Sequence, residues 1–125
     1  RDREGEPRMK QARKQLHAEF SKIAKSLRDV KGADIIITNP EHFAVALRYD
    51  ADRMSAPKIV SRGAGGMAQR IKRIAFTFGV ITVREPALAR QLFYKGRLAQ
   101  EIPDDFYQPV ADLYLRHNIK AKAPA

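Results

Sequence analysis

The residues best placed for chemistry are Asn39, Pro40, Glu41 and His42, a polar interruption inside the apolar stretch DIIITNPEHFAVAL. At most asparagines, slow damage begins when the next backbone nitrogen attacks the side-chain carbonyl, but the nitrogen of Pro40 carries no proton and cannot do this. The reverse cyclisation remains. The Asn39 side-chain nitrogen attacks its own main-chain carbonyl, expels Pro40 as a secondary amine and leaves a succinimide on Asn39, so that the chain cuts itself. A tight turn would assist by holding amide and carbonyl together, and proline at the second position of a turn with asparagine before it is a favoured arrangement. His42 can take or supply a proton if it lies within hydrogen-bond reach. A bare Asn-Pro pair is far more often a turn and nothing more.

Other chemistries have weaker support. His42 and Glu41 suggest a small hydrolase, but Ser21, Ser26, Ser55 and Ser61 all lack the context of an activated nucleophile. The Gly63-Ala64-Gly65-Gly66 cluster lies between an expected strand and helix, where amides can cradle phosphate. It matches neither the dinucleotide fingerprint nor the P-loop, and a tight turn is the better reading. With no cysteine and three scattered histidines, His17, His42 and His117, no metal site is expected, nor any cofactor.

The elements that must position Asn39 follow from periodicity. Leu16, Phe20, Ile23, Ala24, Leu27 and Val30 recur at steps of three and four, which predicts an amphipathic helix from about Met9 to Asp29, closed at Lys31-Gly32 by a left-handed glycine cap. Ile35 to Ile37 and Phe43 to Leu47 read as strands covered on both faces. A third strand is expected over Lys58 to Arg62, then a helix with Ala68, Ile71, Ile74, Ala75 and Phe78 on one face. A strand over Val80 to Val83 and a helix opened by Pro86 follow. The last helix ends near His117, and Pro109 sets its first regular turn near Gln108. The alternation predicts an α/β fold, a small four-stranded sheet packed by about four helices with an N-terminal linker helix. Strand order is not readable. The expected organisation is a charged linker and connector helix over residues 1–30, an α/β domain over 31–117 and a flexible tail over 118–125.

The chain of 125 residues carries a net charge of +10. Its first 38 residues hold ten Lys/Arg against six Asp/Glu and the remainder fourteen against eight, so the basic charge is spread rather than gathered. Without a basic stripe interleaved with aromatics, a nucleic-acid-binding domain is the alternative reading, not the leading one. No apolar run approaches a membrane span.

The string ITNPEHFAVALRYD, followed by SAPKIVSRGAGGMAQRIK and later by EPALARQLF and IPDDFYQPVADLY, resembles the cytoplasmic domain of the FlhB/YscU family, the export-apparatus switch proteins of bacterial flagella and type III secretion systems. The flagellar branch is the more similar, through AVALRYD and the SAPK run. The family cuts itself between Asn and Pro in an Asn-Pro-Thr-His motif, which falls on Asn39, Pro40, Glu41 and His42; the departure is Glu41 where threonine is usual. The resemblance implies a membrane-embedded part before Arg1, with this region on the cytoplasmic side of the bacterial inner membrane. It implies roles in recognising secreted export substrates and in specificity switching with a length-sensing protein, beside other export-gate components and without nucleic acid. It also implies an apolar substrate pocket at Ala56, Pro57, Ala111 and Tyr114, and single self-cleavage rather than turnover of an external substrate.

Overall fold

The computed structural model describes residues 7–40 and 42–120. Helix α1 spans Pro7–Asp29, strands β1 and β2 span Ile35–Asn39 and Phe43–Arg48, and β3 spans Lys58–Ala64. Helix α2 (Gly66–Phe78), β4 (Ile81–Arg84), α3 (Pro86–Lys95) and α4 (Tyr107–Arg116) follow. The four strands form one sheet in the order β3-β2-β1-β4. The pairs β1–β2 and β2–β3 are antiparallel, and β1–β4 is parallel.

This order explains the two β-branched and apolar runs. β1 and β2 are the inner strands, and alternate residues supply two different cores. Ile35, Ile37, Phe43, Val45 and Leu47 meet Ala89 and Leu92 of α3 and Val110 and Leu113 of α4. Ile36, Ala44 and Ala46 meet Ala68, Ile71 and Ala75 of α2, with Val30 closing the end of that layer. A strand buried on one side only would alternate apolar with polar; here every residue from Ile35 to Thr38 is buried. The sheet is therefore the middle layer of three.

Several local expectations change in the structure. Gly32 does not adopt the left-handed cap: α1 passes into a 3-10 turn over Val30–Gly32, closed by the Ala33 amide donating to the Val30 carbonyl at 3.0 Å. Phe78 leaves the apolar face of α2 and is exposed, with the Lys31 ammonium 5.9 Å from its ring centre. The stripe on α1 divides. Leu16 and Phe20 are 55% and 60% exposed, whereas Ser26 and Val30 at the carboxyl end are buried against the domain. Periodicity shows that a helix has an apolar face but not how much of it finds a partner.

The expected start of the last helix agrees with the structure. A 3-10 turn over Asp104–Phe106 precedes α4, so Pro109 falls in its first turn, where a missing N–H breaks nothing. After α4, the Ile119 amide donates to the Tyr114 carbonyl at 2.8 Å and Ile119 packs on the first core. Residues 1–6 of the expected linker and 121–125 of the expected tail lie outside the described residues.

Candidate functional site: the turn between β1 and β2

β1 ends on Asn39 and β2 begins at Phe43, and these two residues face each other in the ladder. The His42 amide donates to the Asn39 carbonyl at 3.0 Å, closing a four-residue turn with Pro40 at its second position. Glu41, the third position, lies outside the described residues.

The turn is clamped on each side. The Glu85 amide donates to the Thr38 carbonyl at 3.0 Å, and the buried Thr38 hydroxyl donates to the Val83 carbonyl at 3.3 Å. The Gly65 amide donates to the His42 carbonyl at 3.0 Å, and the Lys72 ammonium donates to the Pro40 carbonyl at 2.6 Å. The glycine cluster thus has a structural use that differs from phosphate binding. Gly65 sits at φ +56, open to glycine at little cost, and so aims its amide at the turn. A Cβ on Gly63 would stand 2.3 Å from the Met67 side chain and 3.0 Å from its backbone, so α2 can start close behind β3 only because Gly63 lacks one.

Beneath the turn lies an aromatic group that sequence reasoning did not assemble. The exposed His42 ring is 6.1 Å from Phe43, which stacks at 4.8 Å on Phe93 and meets Tyr94 edge-on at 5.5 Å. The Arg62 guanidinium lies 4.7 Å from the Phe93 ring centre and donates to the Phe93 carbonyl. The available signal was the Phe-Tyr pair in QLFYK. Nothing in the sequence alone, however, places α3 under the turn.

This geometry suits the cyclisation. The carbonyl that the Asn39 side chain would attack already accepts an N–H, and the same N–H would stabilise the oxyanion such an attack forms. The chemistry requires one proton to leave the Asn39 carboxamide and one to reach the Pro40 nitrogen, and His42 is an exposed imidazole at the fourth position of the turn. With any described residue, the Asn39 carboxamide makes no hydrogen bond that would hold it away from its own carbonyl.

The four residues assigned to a pocket are placed as follows. Ala56 and Tyr114 belong to one buried cluster, Pro57 is half-buried with its carbonyl accepting from the Ile102 amide at 2.8 Å, and Ala111 is exposed on α4. Tyr114, 8% exposed, donates its hydroxyl to the Asp34 carboxylate at 2.8 Å; the same oxygen accepts from the Tyr49 amide at 2.7 Å. The first of these bonds ties α4 to the residue just before β1. Desolvation, then the nearby Asp34 charge and the hydrogen bond to it, raise the Tyr114 pKa. A cleft of about 440 Å³ between α3 and α4 is lined by Leu88, Phe106, Pro109 and Leu113 with Lys95 and Arg116, and by none of the four.

Tyr114→Phe is expected to cost about 1–2 kcal/mol of stability at neutral pH, measured by urea unfolding, since it removes a hydrogen-bond partner of the half-buried Asp34 carboxylate. The raised folded pKa lies above the unfolded value of 10.0, so this tyrosine's stabilising contribution is complete below pH 10 and is lost as pH rises above it. The gap between wild type and Tyr114→Phe should therefore narrow in strong alkali; a constant gap would sink the assignment.

Comparison with known proteins identifies the context of this turn. The family model described as the FlhB HrpN YscU SpaS family matches residues 1–115. The chain belongs to this family. FlhB of Salmonella typhimurium is 40% identical over 113 residues, 90% of this chain and 29% of that protein. FlhB of Bacillus subtilis is 37% identical over 110 residues, 88% of this chain and 30% of that protein. The chain thus spans less than a third of the length of these FlhB relatives.

Among solved structures, the cytoplasmic domain of FlhB from Shewanella putrefaciens superposes with a TM-score of 0.69 at 28% identity, covering 81% of this chain and 84% of that one. An EscU C-terminal domain with an Asn-to-Asp substitution gives 0.72 at 26% identity, covering 85% and 95%. EscU domains of the same fold were also solved with an alanine at that asparagine, at the proline after it or at the histidine two residues further on, the spacing of Asn39, Pro40 and His42 here. The α/β fold is that of the family's cytoplasmic domains, whose members are components of bacterial export apparatus. No helix among the described residues is long and apolar enough to cross a membrane.

Proposed function

We propose that this chain is the cytoplasmic switch domain of a flagellar-type export apparatus, cut once by its own Asn39 at the bond to Pro40. The observation that carries the proposal is the turn itself: an Asn-Pro bond in the second-position geometry, with the scissile carbonyl already accepting an amide proton at 3.0 Å. The Asn39 nitrogen bonds to its carbonyl carbon, the bond from that carbon to the Pro40 nitrogen breaks, and one proton passes from the carboxamide to that nitrogen. Water later opens the succinimide. No external substrate is turned over.

The wider role follows the family. Secreted export substrates and a length-sensing protein are the proposed partners, with the other export-gate components and a membrane-embedded part that α1 would connect to the domain. The surfaces of Pro57 and Ala111 are the parts of the proposed substrate pocket open to a partner, with Ala56 and Tyr114 behind them. Mass spectrometry under denaturing conditions tests the cut. The expected products are a fragment beginning at Pro40 and, when trapped early, a fragment ending at Asn39 that is one water lighter than its free acid. A chain that stays whole for days at neutral pH would overturn the reading.

Glu41→Thr, which restores the family's usual residue, is expected to speed the cut by up to about fivefold. A like charge two residues along the chain from the developing oxyanion costs on the order of 1 kcal/mol. Time courses of intact mass at neutral pH check this, and an unchanged or lower rate would show that the carboxylate is neutral or helpful.

A further inference from the structure

The leaving side of the turn is held by a contact from a distant element. Lys72 lies in the middle of α2, half-buried, and its ammonium donates to the Pro40 carbonyl at 2.6 Å across 32 residues of sequence. Among the described residues no carboxylate lies within 4.0 Å of it. The helix is a firm anchor. Its neighbouring Ile71 and Ala75 are fully buried in the second core, and Gly65, just before the helix, bonds the same turn through the His42 carbonyl. Asn39 is thus fixed through the sheet and Pro40 through α2, with the scissile bond between the two anchors.

We propose that Lys72 is the positioning residue of the scission turn and that the cut itself releases it. The inference rests on the self-cleavage reading above. Before the cut, the Pro40 nitrogen is an uncharged amide, and the bond from Lys72 to the Pro40 carbonyl restricts how the proline can rotate relative to Asn39. That restriction keeps the carbonyl presented to the Asn39 carboxamide, which supplies the proximity and orientation that cyclisation needs. After the cut, the Pro40 nitrogen holds the proton from the carboxamide, and as a secondary amine it takes up another from water at neutral pH. An ammonium then sits on the same residue whose carbonyl holds the Lys72 ammonium. Like charges at that range repel, and the freed end is no longer tethered to Asn39. Lys72 and Pro40 therefore separate, adding a free cation beside the new terminus.

Two measurements test this on the whole chain. In the first, wild type, Lys72→Met and Lys72→Arg are made by cell-free synthesis, and the uncut fraction is followed by intact mass. Lys72→Met should slow the cut roughly tenfold to a hundredfold, and Lys72→Arg should recover most of the rate, because a guanidinium can reach the same carbonyl. Circular dichroism confirms the fold of each; Lys72→Gln replaces Lys72→Met if that variant is not folded. In the second, brief acetylation followed by peptide mass spectrometry compares Lys72 in cut wild type and in uncut Asn39→Ala. Labelling should be several-fold greater in the cut chain. A folded Lys72→Met or Lys72→Gln that cuts at the wild-type rate, or equal labelling in the two states, overturns this proposal alone. Wild type that never cuts overturns the self-cleavage reading and this proposal with it.

Discussion

Asn39→Ala is expected to leave the chain whole under conditions in which the wild type is cut to completion, with the fold unchanged. The nucleophile and the electrophile of the proposed reaction belong to the same residue. Removing the carboxamide deletes the attacking atom while the carbonyl, its 3.0 Å bond from the His42 amide and the ladder pair with Phe43 are kept. Because Asn39 is half-buried at the end of a strand and its side chain bonds to no described residue, the stability cost should be about 1 kcal/mol. Asn39→Asp retains shape but presents a carboxylate, a poor nucleophile toward a carbonyl, and should cut far more slowly. Intact mass and a urea melt on each variant separate the outcomes. Cutting of Asn39→Ala at the wild-type rate would show a contaminating protease or plain hydrolysis, and loss of cutting together with loss of fold would show that Asn39 is structural.

The same residues show what sequence could and could not disclose. The Asn-Pro chemistry is local, since ring closure involves atoms of one residue and its neighbour's nitrogen, and so the candidate bond was readable without any fold. The two inner strands were readable because burial on both faces leaves an unbroken apolar run at Ile35 to Ile37 and at Phe43 to Leu47. What surrounds the turn was not readable. Lys72, Gly65, Phe93 and Tyr94 come from β3–α2 and α3, and they converge on the turn only because the strand order places β1 between β2 and β4. No periodicity encodes that order. The glycine cluster carried an ambiguous signal, compatible with phosphate or with a turn, and the deciding observations are the positive φ of Gly65 and the Met67 side chain filling the space at Gly63. Phe78 illustrates the opposite failure: it was placed on the apolar face of α2, but the domain ends before covering it.

After the cut, the two pieces are expected to remain one particle. The amino-terminal piece ends with β1, and β1 is not an edge that can peel away. It pairs with β2 from Ile35 to Asn39 on one side and with β4 from Ile35 to Thr38 on the other. Among the described residues β4 has no other partner in the sheet, so loss of β1 would strip β4 and open both cores at once. Ile35, Ile36 and Ile37 are each 0% exposed, and burying an isoleucine is worth roughly 2 kcal/mol before unfolded-state losses. Asp34 adds its bonds to Tyr49 and Tyr114. On the amino-terminal piece these contacts all come from residues 34–39, yet none of them involves the bond that breaks. Scission would therefore change the turn and leave the architecture, so under the proposed function the cut alters a surface and not the fold. Size-exclusion chromatography of fully cut protein without denaturant should show both fragments co-eluting at micromolar concentration. Their separation would mean that β1 dissociates, and the cut would then act by dismantling the sheet.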